Sequence, residues 1–106
     1  MADLDPSILT PGIRKTVLWL RSHGYDTTDS GDGVTNVEAG MECALDIPHV
    51  CMMTTPLKMV AASRNLLDLV TSVGIQAEQG MIEASYDPVS GVALLMLYGV
   101  DDKMLP

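Results

Sequence analysis

Two segments of the chain begin and end on the same residue types, which limits the folds available to it. A Thr-Pro pair stands at residues 10–11 and again at residues 55–56. Thr caps helices well, and Pro fits the first helical position. Each segment then runs to a glycine, Gly24 or Gly74, followed by a bulky residue, and glycine is the usual residue just beyond a helix. We therefore expect two helices with matching boundaries.

Apolar residues recur at helical spacing between these boundaries. They are Ile13, Val17 and Leu20, with Thr16, in the first segment, and Met59, Ala62, Leu66, Leu69, Val70 and Val73 in the second. Each set forms one stripe, as in a helix that packs on one side.

Two β-like stretches follow each predicted helix. The first pair, residues 25–30 and 49–55, is separated by a glycine-interrupted connection in which residues 36–45 are compatible with one or two helical turns. The second pair, residues 81–86 and 92–99, flanks DPVSG, where Pro presets a turn and Gly91 can take a positive φ. Two αββ units predict a four-stranded antiparallel sheet with both helices on one face. This is an α+β, ferredoxin-like αββαββ sandwich, or a permuted form of it.

Size and composition predict one folded domain over residues 1–106. We divide it into a tail (1–9), a first αββ half with its long connection (10–47) and the remainder (48–106). The chain is 47% hydrophobic and 19% charged, unlike a disordered chain.

The last predicted strand is apolar on both of its faces. One face carries Val92, Leu94, Met96 and Tyr98, and the other carries Ala93, Leu95 and Leu97. Such a strand is normally central in its sheet or covered by a second subunit. With both helices on one face, we expect the set of Ala93, Leu95 and Leu97 to be exposed and to require a partner. We therefore expect a homodimer or a higher oligomer.

Charge and terminal sequence exclude several partners. The formal charge of -8 leaves no cluster of cations for a nucleic-acid polymer or an anionic membrane. The first residues show no secretory pattern, and no apolar run approaches the roughly 20 residues that span a bilayer. We expect a soluble cytoplasmic protein with reduced, packed thiols at Cys43 and Cys51.

Residues 29–33, Asp-Ser-Gly-Asp-Gly, form an acidic, glycine-rich segment that we call the Asp-Gly corner. Asp29 and Asp32, with Glu38 or Glu42, would offer oxygen ligands to a metal ion, although the spacing does not match an EF-hand. Alternatively, the amides of the two glycines would approach an anion or a ribose. The third interpretation is a solvated turn.

Two residues outside the corner are also of interest. His49 lies between Cys43 and Cys51 at a spacing wider than known zinc sites, which favours a strand-edge histidine over a ligand. Arg14 is one of few helical cations that could reach a phosphate. Our ligand-binding candidates are Thr28, Asp29, Ser30, Gly31, Asp32, Gly33, Asn36, Arg14 and His49. We expect no cofactor, no resident metal and no catalytic residue.

The stretches GIRKTVLWLRSHGYDTTDSGDGVTN, ECALDIPHV and EASYDPVSGVALLMLYGV resemble a group of small bacteriophage proteins across residues 10–100. The resemblance implies expression in an infected bacterial cell, and the group brings no established activity. Small phage proteins of this size include anti-defence binders that sequester nucleotide-derived immune signals, an analogy of size and context.

Three functional hypotheses follow. The first is a non-enzymatic, oligomeric binding protein that holds a small polar or nucleotide-derived ligand near the Asp-Gly corner. The second is a metal-dependent phosphoester hydrolase using Asp29, Asp32 and His49. The third is a protein interaction module that uses an apolar sheet face. The first leads because no compact catalytic constellation is visible, whereas a glycine-rich strand end suits a pocket shared between subunits.

Overall fold

The computed structural model describes residues 10–33, 47–76 and 78–106. These residues form two helices and a four-stranded antiparallel sheet, so the α+β class is confirmed. The elements are α1 (Arg14–Ser22), β1 (Asp26–Gly31), β2 (His49–Thr54), α2 (Met59–Ser72), β3 (Met81–Asp87), β4 (Val92–Tyr98) and a 3-10 turn (Asp102–Met104). The helical turns predicted within residues 36–45 lie outside the described residues.

The strand order in the sheet is β1-β2-β4-β3, and each neighbouring pair is antiparallel. Each αββ unit contributes one adjacent pair of strands, and the two units join through β2 and β4. This order is compatible with the permuted ferredoxin-like sandwich. β4 is therefore central, which is one of the two arrangements that its two apolar faces predicted.

Both helices cover the same face of the sheet. On that face β2 and β4 bring Val50 opposite Leu97 and Met52 opposite Leu95. The core beneath the helices comprises Ile13, Val17, Leu20, Val50, Met52, Leu66, Val70, Ile75, Leu95, Leu97, Val100 and Leu105. Within the described ranges, no helix is long and apolar enough to cross a membrane.

The predicted exposure of one β4 face was wrong. Ala93, Leu95 and Leu97 are at most 1% exposed, because they form the face that the helices cover. Because both faces of β4 are apolar, the alternation of its residues does not show which face is buried. The pairing with β2 decides it, and the other set, beginning at Val92, lies on the open side of the sheet.

The Thr-Pro pairs do not cap the helices as predicted. Ile13 and Lys58 occupy the N-cap positions, and neither side chain makes a capping hydrogen bond. Instead the carbonyls of Thr10 and Thr55 accept hydrogen bonds from the N–H groups of these residues, at 3.3 and 3.0 Å. Each pair therefore starts a turn that leads into its helix, a position where Pro is favoured.

A carboxylate from a distant segment caps α1. Asp102 accepts hydrogen bonds from the N–H groups of Lys15 and Thr16, at 3.0 and 2.7 Å, and from the Thr16 hydroxyl at 2.9 Å. Its own N–H donates to the carbonyl of Gly12 at 3.0 Å, and the Lys15 ammonium donates to the Pro106 carbonyl at 2.6 Å. The first N–H groups of a helix have no acceptor within the helix. The Asp102 carboxylate supplies this acceptor, which the side chains of the Thr-Pro turn do not.

The predicted glycine turns are confirmed. Gly24 and Gly74 end their helices with φ of +89° and +88°, and Gly91 closes the β3–β4 hairpin with φ of +74°. In the hairpin, the Asp87 carboxylate accepts hydrogen bonds from the Val89 N–H at 3.0 Å and the Ser90 hydroxyl at 2.9 Å. These bonds hold the pKa of Asp87 below its usual value.

Candidate functional site

The Asp-Gly corner lies where β1 ends. Asp29, Ser30 and Gly31 belong to the strand, and Asp32 and Gly33 follow it. Thr28 precedes them at a shift in the register of β1 against β2, where its hydroxyl donates to the Cys51 carbonyl at 3.4 Å. Of the predicted ligand-binding residues, Asn36 lies outside the described part of the chain.

Gly31 is buried beneath the ring of His49. The two residues are opposite each other in β1 and β2. A Cβ atom on Gly31 would lie 2.6 Å from the His49 Cε1 atom. The ring Nδ1 lies 3.1 Å from the Ile47 carbonyl, so the tautomer protonated at Nδ1 donates to that oxygen. Packing of an imidazole therefore accounts for this glycine without any ligand.

The rest of the corner packs against two backbone segments. A Cβ atom on Gly12 would lie 3.3 Å from the Cβ of Asp32. Asp32 therefore lies beside the residues that lead into α1, which begins at Arg14. Gly33 has φ of +81°, and its Cβ would lie 2.6 Å from the Ile47 carbonyl carbon, where the chain enters β2. The structure thus brings the corner, His49 and the start of α1 to one end of the molecule.

The described residues give the metal hypothesis no support. The Asp29 carboxylate accepts a hydrogen bond from the neighbouring Ser30 N–H at 2.9 Å. Within residues 10–33, 47–76 and 78–106, no group of three His, Cys, Asp or Glu residues is placed to hold a metal ion. Glu38, Glu42 and Cys43 lie outside these ranges. Cys51 has a free, half-buried thiol.

The sheet face opposite the helices, which we call the open face, carries an apolar strip. The strip consists of Cys51, Met53, Val92, Leu94, Met96 and Tyr98. Cys51 lies opposite Met96 and Met53 opposite Leu94, so side chains from the two central strands are contiguous. Met53 and Val92 are 46% and 37% exposed. In β2, Cys51 and Met53 alternate with the buried Val50 and Met52, whereas both faces of β4 are apolar.

Acidic residues border the strip on both sides. Asp26 and Asp29 lie on β1, and Glu83 and Asp87 lie on β3. None of the described strand residues on this face is Lys or Arg. Burial raises the pKa of Tyr98, and the nearby Glu83 raises it further. The hydroxyl of Tyr98 therefore stays protonated on this face at neutral pH.

A cleft of about 430 Å³ opens at the other end of β1. Tyr25, Met53 and Leu95 give it apolar walls. Its polar lining residues are His23, Asp26, Thr54, Thr55, Lys58 and Asn65. The Tyr25 hydroxyl donates to the Ala62 carbonyl at 3.3 Å, and burial raises the pKa of Tyr25, with a smaller contribution from Asp68. The predicted ligand-binding residues that the structure describes are not part of the cleft lining.

Comparison of the chain with protein-family models, with curated proteins and with solved structures finds no match.

Proposed function

We propose that the protein is a non-enzymatic binding module whose open face docks a partner protein. The observation that carries this proposal is the contiguous apolar strip on a sheet whose other face both helices cover. Monomeric proteins rarely leave large apolar patches exposed, and a patch rimmed by polar residues marks an interaction site. Methionine side chains, such as Met53 and Met96, adapt readily to the shape of a partner.

The borders of the strip indicate the chemistry of the partner. Asp26, Asp29, Glu83 and Asp87 give the open face a negative rim around its apolar centre. Electrostatic complementarity favours a partner segment that carries apolar residues flanked by Lys or Arg. Two copies placed face to face would bring acidic rims together, so self-association through this face is the less favourable arrangement.

Two designed peptides test this proposal. An alternating Leu-Lys peptide should perturb the NMR signals of the Met53 and Met96 methyl groups, whereas a Leu-Glu peptide of equal length should not. The buried Met52 methyl is an internal reference, because it lies on the helix-covered face. Binding should weaken at high salt, since charges at a rim are screened.

Matched variants locate the binding surface. Met53→Lys removes apolar surface from the strip and adds a cation that repels the lysines of the peptide, so it should reduce affinity for the Leu-Lys peptide at least roughly tenfold. Val60→Lys adds the same charge to a residue of α2 that is 69% exposed, and should leave affinity unchanged. Equal response to both peptides, or equal effects of both substitutions, would rule out the open face as the docking site.

The cleft favours a second candidate function, the sequestration of a small polar or nucleotide-derived ligand. Its volume falls within the range of small-molecule pockets, and it combines apolar walls with several polar side chains. The resemblance to small phage proteins is compatible with this role. Here the ligand would bind near Lys58 and Asn65 rather than at the Asp-Gly corner.

A thermal-shift screen with mono-, di- and cyclic nucleotides tests this candidate. A ligand that binds only the native state stabilises it by about 2.7 kcal/mol at a hundredfold excess over its Kd. Lys58→Ala should abolish the shift, while Lys103→Ala should retain it, because Lys103 is not part of the cleft lining. If millimolar nucleotides produce no shift, or if both variants keep it, the cleft is not a nucleotide site.

A further inference from the structure

The two edges of the sheet differ in their protection against further strand pairing. β1, one edge, has an irregular register between Thr27 and Asp29. β3, the other edge, pairs with β4 over seven residues without a register shift and contains neither Pro nor Lys. Apart from the half-buried Ile82, every β3 residue is exposed. Natural proteins usually block an exposed edge with bulges, Pro or Lys, so the regular β3 edge is open to another strand.

We propose that β3 pairs antiparallel with β3 of a second copy, across a two-fold axis that passes beside Ala84. The two sheets then form one continuous sheet of eight strands, with the helices of both copies on the same side. In this register Glu83 lies opposite Ser85 of the partner subunit, and Met81 lies opposite Asp87 of the partner subunit. On the helix side, Ile82 lies opposite the partner's Tyr86.

Charge selects this register among those that keep both helix layers on one side. A shift by two residues in one direction places Glu83 directly opposite the partner's Glu83. The same shift in the other direction places Glu83 opposite the partner's Asp87. Like charges directly opposite each other destabilise a strand pair. The register centred on Ala84 avoids both pairs and is the one that pairs all seven residues of β3.

A pocket beside β3 supports the same arrangement independently of charge. It measures about 350 Å³ and is lined by Ser63, Arg64, Leu67, Gly80, Met81 and Ile82. Ile82 and Tyr86 both point to the helix side, because they pair with the buried Leu97 and Ala93. The proposed register therefore brings the partner's Tyr86 to the pocket.

Tyr86 has the properties of an interface anchor. Its side chain is 48% exposed in one copy, and Leu67 in the pocket is 42% exposed. Insertion of the ring would cover both surfaces, and the symmetry would create this contact twice. Tyrosines that fill pockets are frequent energetic anchors of interfaces. The dimer goes beyond the proposed docking function, because it leaves the open face free and places two apolar strips on one continuous surface.

Opposite charge substitutions at Ser85 test the register. Ser85→Lys places a cation opposite the partner's Glu83 at two symmetric positions and should tighten dimerisation about threefold to tenfold. Ser85→Glu creates two like-charge pairs and should weaken it by a similar factor. Sedimentation equilibrium of the full chain over a concentration series measures both constants. Changes in the same direction would overturn the register, and a monomer at all concentrations up to about millimolar would overturn the dimer.

A disulfide at the axis gives a second test. In a Cys43→Ser and Cys51→Ser background, Ala84→Cys should form a covalent dimer on mild oxidation, because the two Cα atoms would be about 5 Å apart. Glu83→Cys would place the two Cα atoms about 8 Å apart, too far for a disulfide.

Tyr86→Ala should weaken the dimer at least tenfold by emptying both pockets. Crosslinking at Glu83→Cys instead of Ala84→Cys, or an unchanged constant for Tyr86→Ala, would contradict the proposal.

Discussion

Replacement of Gly99 by Ala should destabilise the protein by about 3 kcal/mol or more. Gly99 follows β4 and has φ of +83°. Any residue with a Cβ atom is strained in this conformation, even where no neighbouring atom is close. In addition, a Cβ at this position would overlap the carbonyl oxygen of Gln79. The Gly99 N–H donates to the Pro48 carbonyl at 2.8 Å, so the backbone cannot shift without loss of that bond. Urea denaturation followed by circular dichroism gives the free energy of unfolding.

Gly74→Ala is the matched control for this prediction. Gly74 has a similar φ of +88°, but a Cβ there would meet no atom within 4 Å. Its substitution should cost only the conformational term, about 1 kcal/mol. The difference between the two variants then measures the steric contact with Gln79. Equal losses would show that this contact does not exist in solution.

Replacement of Asp102 by Ala should lower the free energy of unfolding by about 2 kcal/mol. The substitution removes three hydrogen bonds at the start of α1, two of them to backbone N–H groups. It also removes a negative charge from the positive end of the helix dipole. Amide hydrogen exchange at Lys15 and Thr16 should accelerate, which places the loss at this helix end.

Asp101→Ala provides the comparison for the cap. Asp101 accepts a hydrogen bond from the Lys103 N–H at 3.1 Å within an exposed turn, so its loss should cost only about 0.5 kcal/mol. Asp102→Asn retains an acceptor oxygen without the charge and should fall between the two alanine variants. If Asp101→Ala and Asp102→Ala cost the same, Asp102 does not cap α1.

Local sequence patterns predict the elements of this fold well. The helix stripes, the glycines at positions 24, 74 and 91 and the four strands all depend on residues near one another in the chain. Features that depend on distant residues could not be predicted in the same way. The cap of α1 comes from Asp102, which lies 86 residues beyond Thr16. The buried side of β4 depends on its pairing with β2, because both of its faces are apolar.

The candidate sites show the same distinction. Glycine spacing in residues 29–33 suggested a backbone that approaches a ligand. The structure instead places Gly31 against His49 and Gly33 against Ile47, two residues that a long connection separates from the corner. Composition identifies such a segment, but it does not show which neighbours occupy the space beside it. The alternation along β2 separates Cys51 and Met53 from the buried Val50 and Met52, but it does not show which of the two faces the helices cover.

The central position of β4 has a consequence for synthesis on the ribosome. Among the four described strands β4 is translated last, yet it lies between β2 and β3, so the two halves of this sheet cannot join before it emerges. Until then a nascent chain that already contains both helices has no complete surface on which to bury their stripes. We therefore expect the fold to close late, in one concerted step after elongation has passed residue 98, rather than progressively from the first helix onward.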